Sequence, residues 1–97
     1  YSRYHFEKAD VERYRRLFAE YEAEAEALIR ERLLFPAYDM VLKMSHTFNV
    51  LDARGAVSVS DRSTLVKRIR GLAVRIARLY LAQEEEMEKA SGAEKAE

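Results

Sequence analysis

The chain is 97 residues long and 35% charged, with 17 basic and 17 acidic side chains and a formal net charge of zero. That length carries one modest core and excludes a substrate-binding domain joined to a catalytic one, while the charge balance argues against a protein that coats nucleic acid over its whole surface. Cysteine is absent and histidine occurs only as His5 and His46, which excludes disulfides, thiolate zinc sites and cysteine nucleophiles and fits a cytoplasmic protein.

No apolar run approaches the roughly 20 residues that cross a bilayer, and the N-terminus lacks the basic, apolar, small-residue order of a signal peptide. The expectation is therefore a soluble protein with no membrane partner. A start at Tyr1 rather than methionine reads as a cut from something longer, with residues 1–9 a lead-in from a missing upstream domain against which Tyr1, Tyr4 and Phe6 pack.

Three glycines and one proline among long runs of Ala, Leu, Glu, Lys and Arg predict an all-α fold. The expected architecture is a small bundle of three main helices over residues 10–87, with a structured connector before the last helix. The first helix runs over about 11–33, capped by Asp10, with Val11, Tyr14, Phe18, Tyr21, Ala25 and Leu28 on one stripe. On that stripe Tyr14, Phe18 and Tyr21 read as core or rim residues, not as platforms for bases. Pro36 disfavours helical geometry at Phe35 and suits the first turn of a second helix over about 36–51. Tyr38, Val41, Leu42 and Phe48 lie on one side of it, with Met40, Met44 and Leu51 roughly opposite, so it lies between two partners.

Asp52 to Val59 breaks the helical period at Gly55 and reads as the connector. Ser60 is a good N-cap for a third helix over 60–87, and Ser58 with Asp61 also fits the S-x-x-D capping pattern. Leu65, Ile69, Leu72, Ile76 and Leu79 form its seam, the strongest in the chain, which makes it the expected central packing element. Residues 88–97 read as a mobile tail.

Two polar groupings invite a functional reading. Asn49 and Asp52 share a face near the end of the second helix and point toward Arg54 and Arg62, which predicts a charge-assisted turn network or, alternatively, a contact with RNA or another subunit. Lys67, Arg68, Arg75 and Arg78 form a basic sector of the third helix around Gly71. It suits phosphates or a subunit, or else pairs with Glu20, Glu22, Glu24 and Glu26 or with Glu84, Glu85 and Glu86. No catalytic, cofactor-binding or metal residue is assigned. Ser45 and His46 are neighbours on different helix faces, the lone Gly55 in ARGA is no phosphate loop, and neither histidine has partners at ligand spacing.

The run FNVLDARGAVSVSDRSTLVKRIR, residues 48–70, closely resembles the C-terminal region of the α subunit of bacterial two-subunit glycyl-tRNA synthetase. The likeness extends from about Tyr4 through Ala82. It is strongest over Pro36, Ala37 and Tyr38 and then from Phe48 to Ala73, and it weakens after Leu81, where the chain turns acidic. The resemblance implies an enzyme that activates glycine with ATP and magnesium and transfers it to glycine tRNA. In it the α subunit carries the class II catalytic domain and the β subunit supplies much of the tRNA recognition. The family's ATP and glycine motifs lie upstream, so none maps onto this chain. The expectation is a non-catalytic helical domain, inactive alone, that braces the catalytic domain of the same subunit and contacts the β subunit or glycine tRNA. The alternative is a stand-alone helical protein-protein interaction module without ligase activity.

Overall fold

A computed structural model shows three consecutive helices, α1 (Arg3–Arg30), α2 (Leu34–Ala53) and α3 (Val59–Ala96). It describes the backbone of residues 3–96 and the side chains of residues 10–92. The fold is all-α, as the composition predicts. The side chains of the lead-in, Tyr1, Tyr4 and Phe6 among them, lie outside the described residues.

Each helix end departs from its expected position for a local reason. With no glycine or proline between Arg3 and Arg30, nothing delays helix formation until Asp10, which lies well inside α1 and caps nothing. At the other end Arg32 takes the left-handed conformation (φ 63°). The Leu33 amide donates to the Leu28 carbonyl and the Arg32 amide to the Ile29 carbonyl, both at 2.9 Å. This is the paired-bond C-terminal stop that glycine usually supplies.

Helix α2 starts at Leu34, ahead of Pro36, and includes Phe35. Proline is tolerated there because amides of the first helical turn have no intrahelical acceptor in any case. The helix runs on to Ala53 and closes with the same motif as α1. Gly55, at φ 67°, donates to the Asp52 carbonyl and Ala56 to the Leu51 carbonyl, each at 3.0 Å. The connector is thus shorter than expected, residues 54–58, and Val57 anchors it by turning into the core.

Ser58, not Ser60, caps α3. Its Oγ accepts from the Asp61 amide at 3.2 Å, and its carbonyl accepts from the Arg62 amide at 2.8 Å.

The core is built from Phe18 and Ala25 of α1, Ala37, Val41, Met44 and Leu51 of α2, Val57, and Leu65, Leu72 and Ile76 of α3. Met44 and Leu51 are the largest side chains fully removed from solvent, each worth about 1.5 to 3 kcal/mol of transfer energy. The central element is α2 and not α3: α2 packs extensively on α1 and also on α3, whereas α1 and α3 meet over a small area. Apolar residues on two sides of α2 allow this, while the seam of α3 faces one way only.

The molecule is elongated, 72 by 24 by 17 Å, because α3 continues as helix to Ala96 where a tail was expected over 88–97. Strong helix formers and the Glu85 to Lys89 spacing favour this, and Gly92 alone does not stop it. Gln83 and Glu86 tie the far half of α3 to the α1–α2 turn. The Gln83 amide donates to the Arg32 carbonyl at 3.0 Å, and Arg32 Nη2 donates to Glu86 at 2.7 Å.

Candidate functional site

The connector is held from two directions. Asp52 accepts a short hydrogen bond from Arg62, tying the last turn of α2 to the first of α3. Arg54 does not join them. It reaches across to Asp10 of α1, with its guanidinium carbon 5.3 Å from the Tyr14 ring centre. Asp10 and Tyr14 are four residues apart, so one face of α1 supplies both the anion and the aromatic surface. Next to them Arg15 donates to the Ala56 carbonyl at 2.7 Å and lies 3.7 Å from Asp61. Asn49 is exposed and stands apart from these pairs.

The four basic residues of α3 divide. Arg68 is half-buried and binds Glu22 through Nε (2.8 Å) and Nη2 (2.5 Å), with its guanidinium carbon 5.0 Å from the Phe18 ring centre. These hydrogen bonds hold the Glu22 carboxyl below its ordinary value and raise Arg68 above its own, with partial burial opposing both shifts. Arg68 is therefore tied to α1 and leaves the exposed sector. Arg75 approaches Glu26 only loosely, at 3.8 Å. Lys67 and Arg78 are exposed on either side of Gly71 and form no ion pair with another described residue. Around Gly71 lies open space.

A second feature gave no polar signal in the sequence. Between the N-terminal half of α2 and the middle of α3 runs an open groove of about 430 Å³, lined by aliphatic and aromatic side chains that include Phe35, Tyr38, Tyr80 and Leu81. Phe35 is 80% exposed and Leu81 61%.

A sequence model for the family described as glycyl-tRNA synthetase alpha subunit matches residues 1–85. The chain belongs to that family. Membership in the glycyl-tRNA synthetase α-subunit family implies a glycine-tRNA ligase of translation, which uses ATP and whose α subunit associates with a β subunit and tRNA. The groove is apolar, and no group of three or more His, Asp or Glu side chains among the described residues is placed to hold a metal. Nor is any helix among them long and apolar enough to cross a membrane.

Sequence reasoning named Glu22 and Glu26 within an acidic stretch set against the basic helix, where Arg68 and Arg75 meet them, but missed Asp10 and Arg15 as partners of the connector. Each is one of many exposed-type charges on α1, and only the packing of three helices selects them. The 3.6-residue period does place Glu22 and Glu26 on one face of α1, which was the available sign of a carboxylate row facing the arginines.

Proposed function

We propose that this chain is the non-catalytic helical domain of a glycine-tRNA ligase α subunit, working in the cytoplasm. It braces the upstream catalytic domain of the same subunit, where ATP and magnesium act, and presents the sector around Lys67, Gly71, Arg75 and Arg78 to tRNA. The observation that supports this is the division of the polar residues. Asp52, Arg54, Arg62 and Arg68 are engaged inside the domain, whereas Lys67 and Arg78 remain directed outward across an open glycine. Cations that are not neutralised internally can displace counterions from a phosphate backbone, and a missing side chain allows that backbone close approach.

The test is made on the assembled α and β enzyme. Arg75→Glu with Arg78→Glu weakens glycine tRNA binding and flattens its salt dependence. Unchanged binding removes the RNA contact, and loss of β-subunit capture with tRNA affinity intact reassigns this face to the β subunit. The chain alone gives no glycine-dependent pyrophosphate exchange; measurable exchange would overturn its non-catalytic role.

A further inference from the structure

Along the seam between α1 and α3 the charged pairs follow a count that breaks once. On α3, Asp61, Arg68 and Arg75 are seven residues apart at each step, and their partners on α1 are Arg15, Glu22 and Glu26, seven apart and then four. The partner numbers rise together, so α1 and α3 run in the same direction. A step of seven advances a helix by about 10.5 Å and a step of four by about 6 Å. The first interval therefore matches, and the second leaves Glu26 roughly 4.5 Å short of register with Arg75. The α1 position in register with Arg75 is Ile29, an aliphatic side chain packed against the core.

This mismatch separates two arginines that share one side of α3. Arg68 lies level with its carboxylate and makes two hydrogen bonds to Glu22. Arg75 leans back to Glu26 at 3.8 Å, too far for a hydrogen bond, with both side chains nearly half exposed. Its neighbours in the basic sector, Lys67 and Arg78, are exposed as well.

We propose that Glu26 keeps Arg75 in reserve, an inference that rests on the tRNA reading of the sector around Gly71: the carboxylate occupies the guanidinium while the domain is free of RNA and yields it to a tRNA phosphate on binding. A phosphate offers a guanidinium two acceptor oxygens in the parallel geometry it prefers and releases condensed counterions. A single contact at 3.8 Å supplies neither. Glu22 is not displaced in the same way, because Arg68 would lose two hydrogen bonds and its place against the Phe18 ring. Lys67 and Arg78 are thus standing contacts for the phosphate backbone, and Arg75 is a conditional one. When the phosphate leaves, Arg75 returns to Glu26, so the carboxylate acts chiefly by hastening tRNA release.

The test is glycine tRNA binding by the assembled α and β enzyme, read both as an equilibrium and as a dissociation rate. Glu26→Gln preserves the size of the side chain and should tighten binding about two- to fivefold, mainly through slower dissociation. In an Arg75→Gln background the same change should do nothing, since Glu26 acts through Arg75 alone. Glu24→Gln removes an equal charge from an exposed position on another face of α1 and should change binding far less. Circular dichroism verifies that each variant keeps its helices. An equal gain from Glu24→Gln, or a gain that survives in the Arg75→Gln background, makes the effect one of net charge and overturns the proposal. No gain from Glu26→Gln overturns it too, and Arg78→Gln then separates the two ways of failing. Weaker binding by Arg78→Gln leaves the tRNA reading standing without the reserve, whereas unchanged binding removes that reading and the reserve together.

Discussion

Arg68 grips Glu22 with two parallel hydrogen bonds, joining α3 to α1 at a place where these helices otherwise make little contact. The Glu22 carboxyl is held below the ordinary 4.5. A depressed carboxylate contributes stability that is fully present above its unfolded value and is lost as the pH falls through the folded one. Glu22→Gln should therefore lower stability by about 1 kcal/mol at neutral pH, a figure that allows for solvent screening of the partly exposed guanidinium. The difference from wild type should shrink as urea melts are moved from pH 7 to below pH 4. A difference that holds at low pH assigns the effect to packing and not to charge.

Two glycines meet the same open surroundings and should respond in opposite ways to the same substitution. A methyl group at either Gly55 or Gly71 touches nothing. Gly55, however, is left-handed at φ 67°, so Gly55→Ala should cost about 1 to 2 kcal/mol in backbone strain. Gly71 sits in the middle of α3, where Gly71→Ala should stabilise the chain by about 0.5 to 1 kcal/mol. Thermal melts of the two variants give the signs directly, and a matching sign would contradict the backbone argument.

Asp52→Ala removes the acceptor of Arg62 at the junction of α2 and α3. Both side chains are partly exposed, so the expected loss is about 0.5 to 1 kcal/mol, with a lower thermal midpoint and faster amide exchange in residues 54–58. Unchanged melting together with weakened assembly would make Asp52 an interface residue instead.

The far end of α3 has helical backbone yet little to lean on. Gln83 and Glu86 carry its last cross-links to the α1–α2 turn among the described residues, and the side chains from Glu84 to Gly92 are exposed. Without tertiary packing a helix end opens readily. Amide exchange should show protection through about Glu86 and a steep fall beyond Met87. Protection sustained past Lys89 would require a contact beyond the three-helix fold.

Periodicity carried most of this architecture. Phe18, Ala25, Val41, Leu65 and Ile76 sit in the core because their spacing puts them on the stripes that a 3.6-residue repeat identifies. The two-sided apolar pattern of α2 likewise announced its position between partners. What spacing could not convey was depth: Tyr38, Leu42 and Tyr80 belong to apolar stripes and yet stay half exposed, because only α1 and α2 pack along much of their length. Partner choice was equally hidden. Asp52 and Arg62 are ten residues apart and bracket one turn, so their pairing followed from local geometry, whereas Arg54 meets Asp10 across 44 residues and depends on how α1 docks. The left-handed turn at Arg32 had no marker at all, since arginine there has none of glycine's conformational freedom.

That turn also fixes how far along its neighbours α3 can sit. The carbonyl of Arg32 takes Gln83 while its guanidinium takes Glu86, three residues apart on one face of the long helix. A slide of α3 by a single turn moves its side chains about 5.4 Å, beyond the reach of either bond. One residue at the corner between α1 and α2 thus works as a positional stop for a helix whose own seam, repeating every turn or two, would tolerate several alignments. Weakening it should leave the helices formed but their lengthwise alignment undecided.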